Sequence, residues 1–65
     1  MTETEIRKAF EATLGIQPRI ADIMVAGAMG DTVEALAEYI WDHWMGEPES
    51  PTLEEVEQRI REAIV

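Results

Sequence analysis

The chain has 65 residues and a net charge of −9, with five Lys and Arg against fourteen Asp and Glu, and it has no cysteine. This length allows one domain, the absence of cysteine excludes disulfides and thiolate metal sites, and the scarcity of cations argues against direct binding to nucleic acid or anionic membranes. No apolar run approaches the ~20 residues of a membrane span, and the N-terminus lacks a secretory signal, so we expect a cytoplasmic protein.

The first predicted helix covers residues 3–14. Thr2 and Glu5 have the spacing of a capping box, and Gly15 is a suitable residue just past the end of the helix. Apolar residues recur at helical spacing and include Phe10, so one face of this helix is expected to be buried.

The second predicted helix covers residues 18–29, with Pro18 at its first position. It is apolar on more than one side, which predicts the most buried helix of the set. Gly27 within a helix costs roughly 1 kcal/mol relative to alanine, so we expect a neighbouring helix to approach closely there. Met24 and Met29 are interpreted as core residues.

The third predicted helix, residues 31–45, is the longest uninterrupted helical pattern in the chain. Asp31 is the predicted N-cap, with Glu34 three residues later as in a capping box. At helical spacing, Val33, Ile40 and Trp44 share the inner face. The only tyrosine, the only histidine and both tryptophans also belong to this helix.

Three carboxylates, spaced four residues apart, form an acidic stripe along the outer side of the third helix: Glu34, Glu38 and Asp42. Like charges at this spacing repel by a few tenths of a kcal/mol, and this helix has no Lys or Arg to offset them. The stripe is either a solvated outer face or a surface that binds a basic partner.

Residues 46–51 contain two prolines and a glycine and are predicted to be a linker. A fourth helix should follow over residues 52–64, with Thr52 and Glu55 as a third capping box. The whole chain is then a single helical domain, with a core over residues 3–45. Because the linker spans at most ~20 Å, the fourth helix is expected to pack over part of the Trp41 edge.

The fourth helix differs from the third in its charge pattern. Glu55 can pair with Arg59 and Glu57 with Arg61, both in the favourable i, i+4 order. It should therefore neutralise part of its own charge, whereas the acidic stripe of the third helix stays unpaired.

These elements predict an all-α fold, a small bundle of three helices plus a C-terminal fourth helix. The residues expected in its core are Phe10, Ile23, Val33, Ile40 and Trp44. On this assignment Trp44→Ala should cost about 3–5 kcal/mol.

No catalytic, metal-binding or cofactor-binding pattern is present in the sequence. His43 is a single histidine on the flank of a helix, without a nucleophile or a second base nearby in the pattern. The acidic stripe lies on one helix, which cannot surround a metal ion. We therefore expect a protein that is not an enzyme and that needs no cofactor.

Two short segments resemble a ubiquitin-associated domain, a three-helix module. Leu14-Gly15-Ile16 occupies the place of that family's Met-Gly-Phe-type loop, and TVEALAEYIW at 32–41 follows the order of its third helix. The resemblance covers about residues 3–44 and leaves the fourth helix outside. In the family, the first loop and the end of the third helix bind ubiquitin. By resemblance, that patch would include Leu14, Gly15, Ile16, Glu38 and Trp41.

Two functions are therefore expected to compete. The first is a small acidic adaptor or inhibitor that covers a basic surface of another protein, including a phage- or mobile-element-encoded inhibitor that mimics nucleic-acid charge. The second is a ubiquitin-binding module. A structural subunit that forms a homodimer through the fourth helix is a third hypothesis. The candidate partner-binding residues are Asp31, Glu34, Glu38, Asp42, Trp41, Leu14, Gly15 and Ile16.

Overall fold

The computed structural model describes residues 1–29, 32–46 and 50–65 and shows an all-α bundle, which confirms the predicted fold class. Four helices follow one another along the chain. Their bounds are α1 Glu3–Leu14, α2 Ile20–Met29, α3 Val33–Trp44 and α4 Leu53–Ile64.

Side chains next to each helix end set most of these bounds. The capping box of α1 is complete, because Thr2 Oγ1 accepts from the Glu5 amide at 3.2 Å and Glu5 Oε1 accepts from the Thr2 amide at 2.8 Å. The pKa of the Glu5 carboxyl is lowered mainly by its hydrogen bond with the backbone amide of Thr2, and in second place by hydrogen bonding with the Thr2 side chain. Gly15 ends α1 with φ +69°, a left-handed conformation that favours glycine. Thr52 caps α4 by accepting from the Glu55 amide.

Two predicted helix starts are corrected. The carbonyl of Arg19, not Pro18, begins the hydrogen-bond ladder of α2, and Asp22 Oδ2 accepts from the Arg19 amide at 3.0 Å. Pro18 is buried ahead of the helix. The N-cap of α3 is Thr32, whose hydroxyl accepts from the Ala35 amide, and the predicted cap Asp31 lies outside the described residues.

The core lies between α1, α3 and α4. Its largest fully buried side chains are Phe10, Leu36, Ile40, Val56 and Ile60, which come from these three helices. The most extensive contacts join α4 to α1 and α3, so the fourth helix completes the core. Of the predicted core residues, Ile23 and Val33 are partly buried and pack against this cluster.

The position of α2 corrects a prediction. Only Ala26 of this helix is fully buried, so α2 is not the most buried helix of the bundle. Met24 and Met29 are exposed and do not fill the core. Among the described residues outside its own turn, no atom lies within 4 Å of the position that a Gly27 side chain would occupy, so this glycine makes no close approach to another described helix.

Candidate protein-interaction surfaces

The outer side of α2 is an exposed apolar surface. Exposure reaches 72% for Ile20 and 70% for Met24. The only charged residue of the helix, Asp22, is half-buried. All seven exposed residues of α2 lack polar side chains, and we call them the apolar face of α2: Ile20, Ala21, Met24, Val25, Gly27, Ala28 and Met29.

The size of the chain explains why this surface was missed. A helix that is apolar all round is ordinarily buried, which is the rule the prediction followed. A domain of about 60 residues, however, buries only about 60% of the surface of its unfolded chain and cannot enclose a helix. Here α4 packs against α1 and α3, and α2 covers only one side of the bundle. The short length of the chain was the available signal.

A cleft of about 300 Å³ lies between the loop that follows α1, the start of α2 and the end of α3. We call it the Trp44 cleft. Its lining residues are Ile16, Gln17, Arg19, Asp22 and Trp44.

Trp44 lies at this cleft and not inside the core, which corrects its predicted position. Its side chain is 37% exposed. One side of the ring packs edge-on against Phe10, with centroids 5.2 Å apart, and against Tyr39, with centroids 5.4 Å apart. Trp44 is the last residue of α3, where the bundle no longer covers the helix from both sides.

Tyr39 forms the base of an aromatic cluster beside the cleft. It is buried, its ring lies 4.4 Å from that of His43, and Nδ1 of His43 is 2.9 Å from the Tyr39 carbonyl oxygen. Burial raises the pKa of the Tyr39 hydroxyl, and the charge of Asp22 raises it further. The histidine is thus engaged within α3.

The acidic stripe is exposed along α3, but it is not uniform. Glu34 Oε1 accepts from Arg61 Nη2 of α4 at 2.6 Å, and Arg61 also lies 3.6 Å from Glu57. The predicted difference in charge pairing between α3 and α4 is therefore only partly present, because Arg61 of α4 pairs with Glu34 of the acidic stripe. Within the described residues, Glu38 and Asp42 form no ion pair.

Trp41 and Ile16 occupy different surroundings. The Trp41 indole is half-buried against the core, and its Nε1 donates to the carbonyl of Pro51 at 2.8 Å, just before α4 begins. Leu14 is half-buried, and Gly15 and Ile16 are exposed, Ile16 by 46%. The first loop therefore shares its cleft with Trp44, while Trp41 is held on the α4 side.

Among residues 1–29, 32–46 and 50–65 no group of three or more His, Asp or Glu is arranged to hold a metal ion. Over the same residues, no helix has both the length and the apolar character needed to cross a membrane. Comparison of the chain with protein-family models, curated proteins and solved structures gives no match.

Proposed function

We propose that this chain is a small acidic protein–protein interaction module, a binding protein and not an enzyme. The apolar face of α2 carries the proposal. Leaving a large apolar side chain such as Ile20 or Met24 in water forgoes about 1.5–3 kcal/mol of burial free energy. Contiguous exposed apolar patches on soluble proteins mark interaction sites, and this one has no polar residue within it.

The charge of the molecule indicates the chemistry of its target. A net charge of −9 accelerates encounter with a basic protein surface and repels acidic ones. Glu38 and Asp42 are the members of the acidic stripe that remain open for such a target. Mimicry of nucleic-acid charge has weaker support, because Glu34 is already paired with Arg61. The module therefore acts as an adaptor or inhibitor on a basic protein.

A pull-down followed by direct binding measurements tests this function. The full chain, tagged, would capture a target that mass spectrometry identifies, and calorimetry with the purified target would compare variants. We expect Met24→Ala and Glu38→Lys each to weaken binding, and added salt to weaken it further. Val65→Ala and Glu62→Lys are matched controls, an exposed apolar residue at the C-terminus and a carboxylate on α4. Equal effects of variants and controls would contradict the proposal.

A second candidate is ubiquitin binding. It is supported by one observation: Ile16 of the first loop and Trp44 at the end of α3 line the same cleft. In the family that the sequence resembles, these two regions bind ubiquitin. Titration of the isotope-labelled chain with ubiquitin, followed by NMR, would then shift the resonances of Ile16 and Trp44 first. Unchanged spectra at millimolar ubiquitin would eliminate this candidate.

A further inference from the structure

We infer that the apolar face of α2 binds the same face of a second copy of this chain, forming a two-fold symmetric dimer. The inference rests on the proposed function. It assigns the apolar face of α2 to a second copy and leaves Glu38 and Asp42 to the basic target, so Met24→Ala would weaken target binding through loss of the dimer. Most soluble oligomers are homo-oligomers, and two-fold dimers that use one self-complementary patch are the commonest. The apolar face of α2 is such a patch, because uncharged side chains match themselves.

The distribution of charge favours a second copy as the occupant. Two chains of net charge −9 repel, and the exposed surfaces of α1, α3 and α4 all carry carboxylates, which on α3 are accompanied by no Lys or Arg. The exposed residues of α2 carry no charge, and the Asp22 carboxylate is half-buried and bound to the Arg19 amide. Two copies can therefore meet across α2 without opposing carboxylates, with the remaining charges screened over about 8–10 Å near physiological salt.

A dimer of standard size needs more surface than α2 alone offers. A standard interface buries about 800 Å² per partner, which is about a fifth of the 4193 Å² that this chain exposes. The ten residues of α2 span about 15 Å and need adjoining apolar surface to reach this area. Ile16, in the loop before the helix, adds exposed apolar surface. At Gly27 no described residue outside its own turn lies within 4 Å of the position of an added Cβ, so this part of the helix has room for a partner.

The buried apolar residues of α4 argue against the predicted homodimer through the fourth helix. Val56 and Ile60 of α4 are fully buried inside the bundle, and Leu53 and Ile64 pack against the core. Pairing through these apolar residues of α4 would require the helix to leave the bundle. Pairing through α2 costs no internal contact, and it leaves Glu38 and Asp42 free. The dimer then presents two acidic stripes, which raises avidity for a target with two basic sites.

Sedimentation equilibrium of the full chain tests the dimer. From micromolar to millimolar concentration, we expect the mass to rise from 7.3 kDa toward twice that value. Added salt should strengthen the association, since it screens repulsion between the acidic copies, whereas it weakens binding to a basic target. Met24→Glu should raise the dissociation constant about tenfold or more by placing a charge in the apolar contact. Val65→Glu makes the same charge change on an exposed residue outside α2 and should leave it unchanged.

Oxidative cross-linking locates the contact, since the chain has no cysteine of its own. Met24→Cys should form a disulfide-linked dimer quickly, because a disulfide requires the two Cα atoms to be within about 7 Å, and Val65→Cys should not. A chain that stays monomeric at millimolar concentration, or that cross-links equally at both positions, would overturn the inference. If such a monomer still captured a target that Met24→Ala loses, the dimer would fail while the proposed function stood. Circular dichroism confirms that each variant is folded.

Discussion

Arg61 of α4 donates from Nη2 to Oε1 of Glu34 on α3 across 2.6 Å, joining residues 27 positions apart in the chain. The pair links the helix that completes the core to the acidic stripe of its neighbour. It also divides that stripe, because one carboxylate has a cation beside it and the other two form no ion pair within the described residues. The part of the acidic stripe that remains open is therefore Glu38 and Asp42.

We predict that the Arg61–Glu34 pair contributes under about 1 kcal/mol to stability, because exposed ion pairs are screened by water and salt. The side chains are 43% and 61% exposed. A double-mutant cycle with Arg61→Gln and Glu34→Gln, followed by urea denaturation, measures the coupling energy. We expect this energy to fall as salt is added. A coupling of several kcal/mol that is insensitive to salt would contradict the prediction.

The positions of Phe10 and Trp44 predict very different costs of truncation. Phe10 is fully buried, so Phe10→Ala should cost about 3–5 kcal/mol. Trp44 is partly exposed, so Trp44→Ala should cost about 1–2 kcal/mol, less than the sequence alone suggested. Urea denaturation of the two variants gives the comparison. If Trp44→Ala is the more destabilising variant, the placement of Trp44 at the cleft is wrong.

Gly27→Ala should stabilise the folded monomer by about 0.5–1 kcal/mol, because alanine restricts the unfolded chain and favours the helix. No described residue outside the turn of Gly27 lies within 4 Å of the added carbon, so no clash with these residues offsets the gain. Thermal unfolding at low protein concentration, where the chain is monomeric, measures the change. Gly15→Ala is the control, and it should destabilise because Gly15 has φ +69°. A destabilising Gly27→Ala would show that a neighbour does approach this position.

Tyr39 should make stability fall at alkaline pH. Burial raises the pKa of its hydroxyl above the ordinary value of 10.0, so the folded state holds the proton more tightly than the unfolded state. The contribution is complete below pH 10.0 and is lost as pH rises through the folded pKa. Because Tyr39 is the only tyrosine, tyrosinate absorbance reports it directly.

The control for this titration is Tyr39→Phe, which should remove the tyrosine part of the loss while keeping the ring contacts. Asp22→Asn should lower the Tyr39 midpoint slightly, since the Asp22 charge adds to the shift. An absorbance midpoint at or below 10.0 in the folded protein would mean that Tyr39 is not desolvated.

Signals confined to three or four consecutive residues were sufficient to predict both ends of α1 and the start of α4. Thr2 and Glu5 accept hydrogen bonds from backbone amides at the start of α1, and Thr52 does the same at the start of α4. Gly15 ends α1, and its amide donates to the carbonyl of Glu11 in the last turn. Such bonds form wherever the rest of the chain lies, so the pattern of residues predicts them. Periodicity likewise predicted the buried positions of Phe10 and Ile40.

Which side chains are left exposed depends on how the helices pack against one another. In a helix that is apolar all round, the sequence does not indicate which side its neighbours cover. Because α4 packs against α1 and α3, the outer side of α2 is uncovered. Trp44 has the spacing of a core residue, but at the end of α3 one part of its ring lines a cleft with the loop after α1 and the start of α2. Glu34 meets its cation only because α4 brings Arg61 alongside α3. Each outcome rests on contacts between residues far apart in the chain, which no local pattern contains.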